Sequence, residues 1–164
     1  MDPLISMTRC VGVLALCLMM TACAAKEKLA AVSNKAGIVS RSHRFSVQIN
    51  VADSANDNSP VPMDFVAVMD KKLMADVAKL PAKDWFDRRV QIQRDFPGKI
   101  EVVSWEWVPG QHAGPITITI NPKAKLGYFF ANYQNGGDHR AVVDLRWPVV
   151  VDLGPADFTV QPLK

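Results

Sequence analysis

From residue 44 onward, apolar and polar side chains alternate with period two. "RFSVQINV" puts Phe45, Val47, Ile49 and Val51 on one face and Arg44, Ser46, Gln48 and Asn50 on the other, the signature of a half-buried strand. Asp53 to Pro60, "DSANDNSP", is a dense run of turn formers and predicts a loop. "MDFVAVM", Met63 to Met69, predicts a second strand with Phe65, Ala67 and Met69 on one face. Val66 and Val68 on its other face predict cover on both sides for part of its length. The period then changes. Leu73, Val77 and Leu80 fall at helical spacing until Pro81 stops the run. Trp85, Phe86, Arg89 and Val90 predict a second short helical turn beginning near Ala82, so that Lys71 to Arg89 forms a helical insertion that ends by "DFPG", Asp95 to Gly98.

Strands return after that turn. Ile100 to Val108 aligns Val103, Trp105 and Trp107, and Pro109-Gly110 turns the chain. "PITITI" sets Ile116, Ile118 and Ile120 against Thr117 and Thr119, and "GYFFANY" gives an aromatic strand from Gly127 to Tyr133. "QNGGDH" predicts a hairpin-type turn, because Asn and Gly tolerate positive φ. Arg140 to Trp147 alternates again with Ala141, Val143, Leu145 and Trp147 inward, and Val149–Leu153 and Phe158–Val160 add short strands. Short strands at turn-punctuated intervals predict a mainly β fold, a two-sheet β-sandwich with a short helical insertion after the second strand.

The first 40 residues follow another plan. Arg9 precedes an unbroken apolar or small-residue run of 11 from Cys10 to Met20, and Thr21 and Ala22 follow. This is the layout of a bacterial secretory signal. The run falls short of the roughly 20 residues that a span of the hydrocarbon core requires. A start at Met7 gives a tidier n-region than Met1, because it omits Asp2. Met20-Thr21-Ala22-Cys23 resembles the lipobox of bacterial lipoproteins, with Met20 in place of the usual Leu. On this reading residues 1–22 are removed with Cys10 and Cys17, and Cys23 is acylated. The mature chain then forms no internal disulfide. Ala24 stands where Asp usually marks inner-membrane retention, so by analogy with the enterobacterial sorting rule the destination is the periplasmic face of the outer membrane. The competing reading is an ordinary secreted protein with one free thiol. Residues 23–40 then form the lipidated N-terminus and an alanine- and lysine-rich tether, spanning about 20–25 Å as a coil. A docked helix over Glu27 to Lys35 is its alternative.

Residues 41–164 suit one domain, large enough to hold a core without disulfide or metal. The net charge of +3 survives removal of the signal, which carries one acid and one base. No run of Lys and Arg interleaves with aromatics, which argues against nucleic acid as a partner. Arg41, His43 and Arg44 read as a solvated strand entrance. His43, His112 and His139 are far apart in sequence and in no metal-ligand spacing. There is no G-x-S-x-G elbow and no phosphate loop, and the "NGG" at Asn135 to Gly137 reads as a turn. Asp138, His139 and Arg140 are adjacent on a hairpin and so poorly placed to converge. Scattered carboxylates such as Glu101 and Asp144 support no named chemistry. The expectation is a protein without catalysis, metal or cofactor, apart from the covalent lipid on Cys23.

The lipobox, Ser59-Pro60-Val61 at a strand entrance, an insertion carrying "DWF", the turn Pro109-Gly110-Gln111, and Ala131, Tyr133 and Arg140 of the hairpin occur in this order. Over roughly Phe45 to Leu145 the order resembles the outer-membrane lipoprotein of type VI secretion, the TssJ family. His139 stands where that family usually has Trp, and Gln111 where it has Glu. The resemblance implies a transthyretin-like sandwich that binds the periplasmic region of a large inner-membrane partner, TssM, and fixes the trans-envelope complex. By position, the family's partner-binding loop falls on Asp53, Ser54, Ala55, Asn56, Asp57, Asn58 and Ser59, and is shorter than usual here. A second reading is a periplasmic lipoprotein that binds cell-wall glycan or a small ligand through exposed aromatics, with Trp105 and Trp107 as candidates. A third is a hydrolase with an unrecognised site.

Overall fold

A computed structural model of the chain describes residues 43–124 and 126–163. The expected signal peptide, the lipidation site Cys23 and the tether lie outside the described residues. In chain order the elements are β1 (His43–Val51), β2 (Val61–Val68), α1 (Lys71–Val77), α2 (Ala82–Asp95), β3 (Ile100–Trp107), β4 (His112–Ile120), β5 (Leu126–Ala131), β6 (Arg140–Asp144), β7 (Val149–Leu153) and β8 (Phe158–Pro162). They form two four-stranded sheets, ordered β4-β1-β7-β8 and β3-β2-β5-β6. All pairs are antiparallel except β1 with β7. The expected mainly β two-sheet sandwich, with helices after the second strand, is what forms.

The alternation of β1 becomes burial: Phe45, Val47, Ile49 and Val51 are each 2% exposed or less. They meet Met63, Phe65, Phe129, Val143, Leu145 and Val151 between the sheets. Phe65 sits at the centre, its ring 5.3 Å from that of Phe45 and 5.2 Å from that of Phe129. Gly127 of β5 lies against the Phe65 ring, where a Cβ would come within 2.7 Å of a ring carbon and 2.9 Å of Leu145. Gly127→Ala is therefore expected to cost about 1–3 kcal/mol by overpacking. A denaturation midpoint equal to wild type would show instead that β5 moves aside freely.

The two-sided cover expected for β2 is real. Val66 and Val68, with Tyr128 and Phe130 of β5, pack under Leu73, Val77, Trp85 and Ile92 of the two helices. Asp70 caps α1, accepting from the backbone N–H groups of Lys72 at 2.9 Å and Leu73 at 3.1 Å. One charged residue shares the covered face. Asp64, fully buried, accepts from Trp85 Nε1 at 2.9 Å and from Arg89 Nη1 at 2.8 and 2.7 Å. Spacing of four puts Trp85 and Arg89 on one side of α2, so both reach the same carboxylate. Trp85 also stacks on Phe130 at 5.0 Å.

Three expectations need correction. The second helical piece is a 14-residue helix that runs on to Asp95. Its apolar stripe is narrow, and Arg and Gln dominate the rest, which hides the period. "QNGGDH" belongs to a loop from Asn132 to His139 between β5 and β6. Trp147 is 62% exposed and does not point inward. β6 stops at Asp144, whose carboxylate accepts from the Arg146 backbone N–H at 3.0 Å while its carbonyl accepts from Trp147 N–H at 3.4 Å. That turn ends the period of two before Trp147 is reached.

Candidate functional site

Strand register sorts the sandwich into two ends. His43 pairs with Ile120, and Val149 with both Val47 and Pro162, so the β4–β5 connection, the β6–β7 turn and the last strand's terminus gather where the described chain begins. Val51 pairs with Leu153 and Val61 with Trp107, so the loops at 52–60, 108–111, 132–139 and 154–157 gather at the opposite end.

At that loop end lies the predicted partner-binding segment. Asn56, Asp57 and Asn58 take φ values of +48°, +52° and +60°, a left-handed run that Asn and Asp tolerate better than other residues with a Cβ. The run throws Asp57 and Asn58 outward and turns Ala55 and Asn56 inward. Of the seven predicted contact residues, Asp53, Ser54, Asp57 and Asn58 are exposed and Ser59 is half-buried, while Ala55 and Asn56 are buried. Asn56 therefore holds the platform together. Its Nδ2 donates to Pro60 O at 2.9 Å, and its Oδ1 accepts from Gln134 N–H in the neighbouring loop at 2.7 Å. Asn56→Ala loses both bonds and places Ala in a left-handed conformation, and is expected to cost about 2–3 kcal/mol. Asn56→Gly keeps the backbone easy and is expected to cost less. Equal losses in urea melts of the two variants would show that the backbone conformation does not matter there.

The other resemblance-bearing residues converge on the same end. The Pro109-Gly110-Gln111 turn is joined to it by Gly110 N–H donating to Ala52 O at 3.3 Å and Val51 N–H donating to Gln111 O at 2.9 Å. Gly110 has φ +78°, and a Cβ there would meet Asp53 Oδ1 at 2.8 Å. The Tyr133 hydroxyl lies 3.1 Å from the carbonyls of both Gly154 and Asp157. Arg140 donates to Leu80 O at 2.8 Å, tying the sheet to the turn between the helices. His139, at φ +38° and buried, faces Asp157 Oδ1 at 3.0 Å and Asn135 O at 3.1 Å. It stacks against Tyr133 with ring centroids 4.9 Å apart. His139 thus turns to Asp157 while the Asp138 carboxylate lies 3.7 Å from Arg140, and the three form no triad. Sequence reasoning missed this role of His139 and Asp157, and only the buried packing of the loops could have revealed it.

Burial pushes the Tyr133 phenol well above its usual value, and the nearby Asp157 carboxylate adds to the effect. Burial raises Tyr128 as well, and these are the chain's two tyrosines. Raised folded-state values mean that the stabilisation is complete below pH ~10 and is lost as pH rises above it, where the unfolded chain ionises first. Native protein titrated through pH 10 is expected to show little tyrosinate absorbance until it unfolds. Half-ionisation at pH ~10 would mean that both hydroxyls are open to solvent.

Catalytic chemistry gains nothing from the geometry. Among the described residues no group of three or more His, Cys, Asp or Glu side chains could hold a metal ion. Glu101 accepts from Asn121 N–H at 2.9 Å, and the Arg146 side chain holds the Asp144 carboxyl below its usual range. Both acids sit at the end away from the loops. Trp107 is buried and Trp105 half-buried, each against the core, so neither offers the exposed ring that a glycan platform needs.

No protein-family model matches the chain, and no curated protein matches it in sequence. Solved structures do match in fold. The type VI secretion lipoprotein TssJ1 from Pseudomonas aeruginosa aligns with TM-score 0.61 and 16% identity over 75% of this chain and 98% of its own. Serratia marcescens Lip, a membrane-bound component of the type VI secretion system, aligns with TM-score 0.57 and 15% identity over 75% of this chain and 97% of its own. A chain in the structure of the T6SS protein TssM C-terminal domain from EAEC aligns with TM-score 0.55 and 12% identity, covering 73% of this chain and 98% of that one. The fold is a divergent TssJ-like sandwich.

Proposed function

We propose that the protein is an outer-membrane-anchored lipoprotein that binds the periplasmic region of a large TssM-like inner-membrane partner and helps assemble the type VI secretion membrane complex. One observation carries the reading: a TssJ-like sandwich holds the predicted partner loop, Asp53 to Ser59, as a hydrogen-bonded platform at the end opposite His43, where the tether from Cys23 joins. A rigid scaffold presenting an ordered polar loop suits recognition, and little ordering entropy remains to oppose binding. Exposed Asp53, Asp57, Asp138 and Asp157 crowd this end. They favour a basic counter-surface and fast, salt-sensitive association. The role is assembly without catalysis.

The test is affinity purification of the tagged, lipidated protein from mildly cross-linked envelopes, beside an Asp53→Lys, Asp57→Asn variant that spares the left-handed backbone. Co-recovery of a large inner-membrane protein, lost in the variant, is the expected result. Recovery of glycan or of abundant outer-membrane proteins alone would overturn the reading. Cys23→Ala is expected to abolish fatty-acid labelling and outer-membrane fractionation.

A further inference from the structure

The β6–β7 turn contradicts its own sequence pattern by presenting a large aromatic side chain to solvent. Among the described residues Trp147 is the most exposed large hydrophobic, at 62%, and Leu163 at 37% joins it at the same end. The turn is stiff. Arg146 donates to both Asp144 carboxylate oxygens through Nε, at 3.0 and 2.9 Å, and its backbone N–H bonds the same group. It also adjoins the point where the described chain begins, because His43 Nε2 lies 2.7 Å from Leu145 O, two residues from Trp147. A shallow depression lined by His43, Pro122, Ala124, Leu126 and Leu145 continues the same surface.

We propose that this end is a membrane-contact face: Trp147 seats in the headgroup layer of a phospholipid bilayer bearing anionic lipid, beside the tether's attachment point. The inference rests on the lipid-anchor reading given above. His43 stands twenty positions after Cys23, and a coil of that length has a root-mean-square span of only about 25 Å. A lipid on Cys23 therefore keeps this end, and the turn beside His43, close to the bilayer. Tryptophan favours the membrane–water interface because its large apolar ring carries one polar N–H. The charges complement an anionic surface. Exposed Arg44, Lys99 and Lys123 are gathered at this end. Of its acids, Asp144 is paired with Arg146, Glu101 accepts from Asn121 N–H, Asp70 caps α1, and Asp95 is exposed. Exposed Asp53, Asp57, Asp138 and Asp157 lie at the opposite end, so acidic charge is weighted away from this face.

The test reconstitutes the full lipidated chain into vesicles of phosphatidylethanolamine with phosphatidylglycerol, with and without brominated acyl chains. Of the four tryptophans, Trp85 and Trp107 are buried, Trp105 packs on the core and only Trp147 is exposed. Brominated vesicles are expected to quench part of the emission, and Trp147→Phe to abolish that quenched part while co-flotation and thermal midpoint stay unchanged. Wild-type protein that co-floats with equal emission in both vesicles would overturn the contact while leaving the anchor intact. Failure to co-float would bring down the anchor and this face together. A Trp147-dependent dimer in sedimentation, with no quenching, would assign the face to a second copy and also overturn the proposal.

Discussion

Arg89→Ala is expected to destabilise the domain by about 3–5 kcal/mol, because it leaves a buried carboxylate without its counter-charge. Asp64 is 0% exposed, between the second sheet and α2, and its remaining partner would be the neutral Trp85 indole. A loss of this size lowers the melting temperature by more than ten degrees, at about 4 °C per kcal/mol for a domain of roughly this length. Asp64→Asn combined with Arg89→Ala is expected to recover part of the loss, since no uncompensated charge then stays inside. Urea unfolding of wild type, the single and the double variant measures both effects. A single-variant loss below about 1 kcal/mol would mean that water already reaches Asp64 and that the ion pair adds little.

Phe65→Ala is the second large effect, about 3–5 kcal/mol. The ring is fully buried and flanked by Phe45 and Phe129 from both sheets, so its removal opens a cavity that neither sheet can close. Gly127 cannot help fill it, having no side chain to offer. Phe65→Leu restores most of the volume and is expected to lose much less. Equal losses for Ala and Leu would show that ring stacking, and not filled space, carries the contribution of Phe65.

The sheets were legible because alternation maps directly onto burial where a strand has one wet face, as in β1. The double cover of β2 was legible for the same reason in reverse: Val66 and Val68 add an apolar face to one already set by Phe65 and Ala67. Asp64 interrupts that face by a single residue, and its partners lie on a helix 21 and 25 positions away. No local period reports such a lock. Alternation carries Trp147 inward only if it runs on past Asp144, whose side chain captures the chain into a turn. The parallel pairing of β1 with β7 leaves no local mark either, since the partners are about a hundred residues apart in sequence. At the loop, position along the chain was readable, but the inward turn of Asn56 depends on three left-handed residues in succession.

That parallel pairing gives β1 a mechanical character. The strand's nine residues cover about 30 Å. They run from the attachment of the tether to the base of the Asp53–Ser59 loop. Under the proposed function, a load between the lipid anchor and a partner bound at that loop would be carried along the axis of this one strand. β4 and β7 grip it from both sides, with hydrogen bonds lying across the direction of pull. Extraction must shear these rows together instead of unzipping them one bond at a time. Tensile strength is a different property from thermal stability, and in the proposed link between two membranes it would be concentrated in the first strand of the domain.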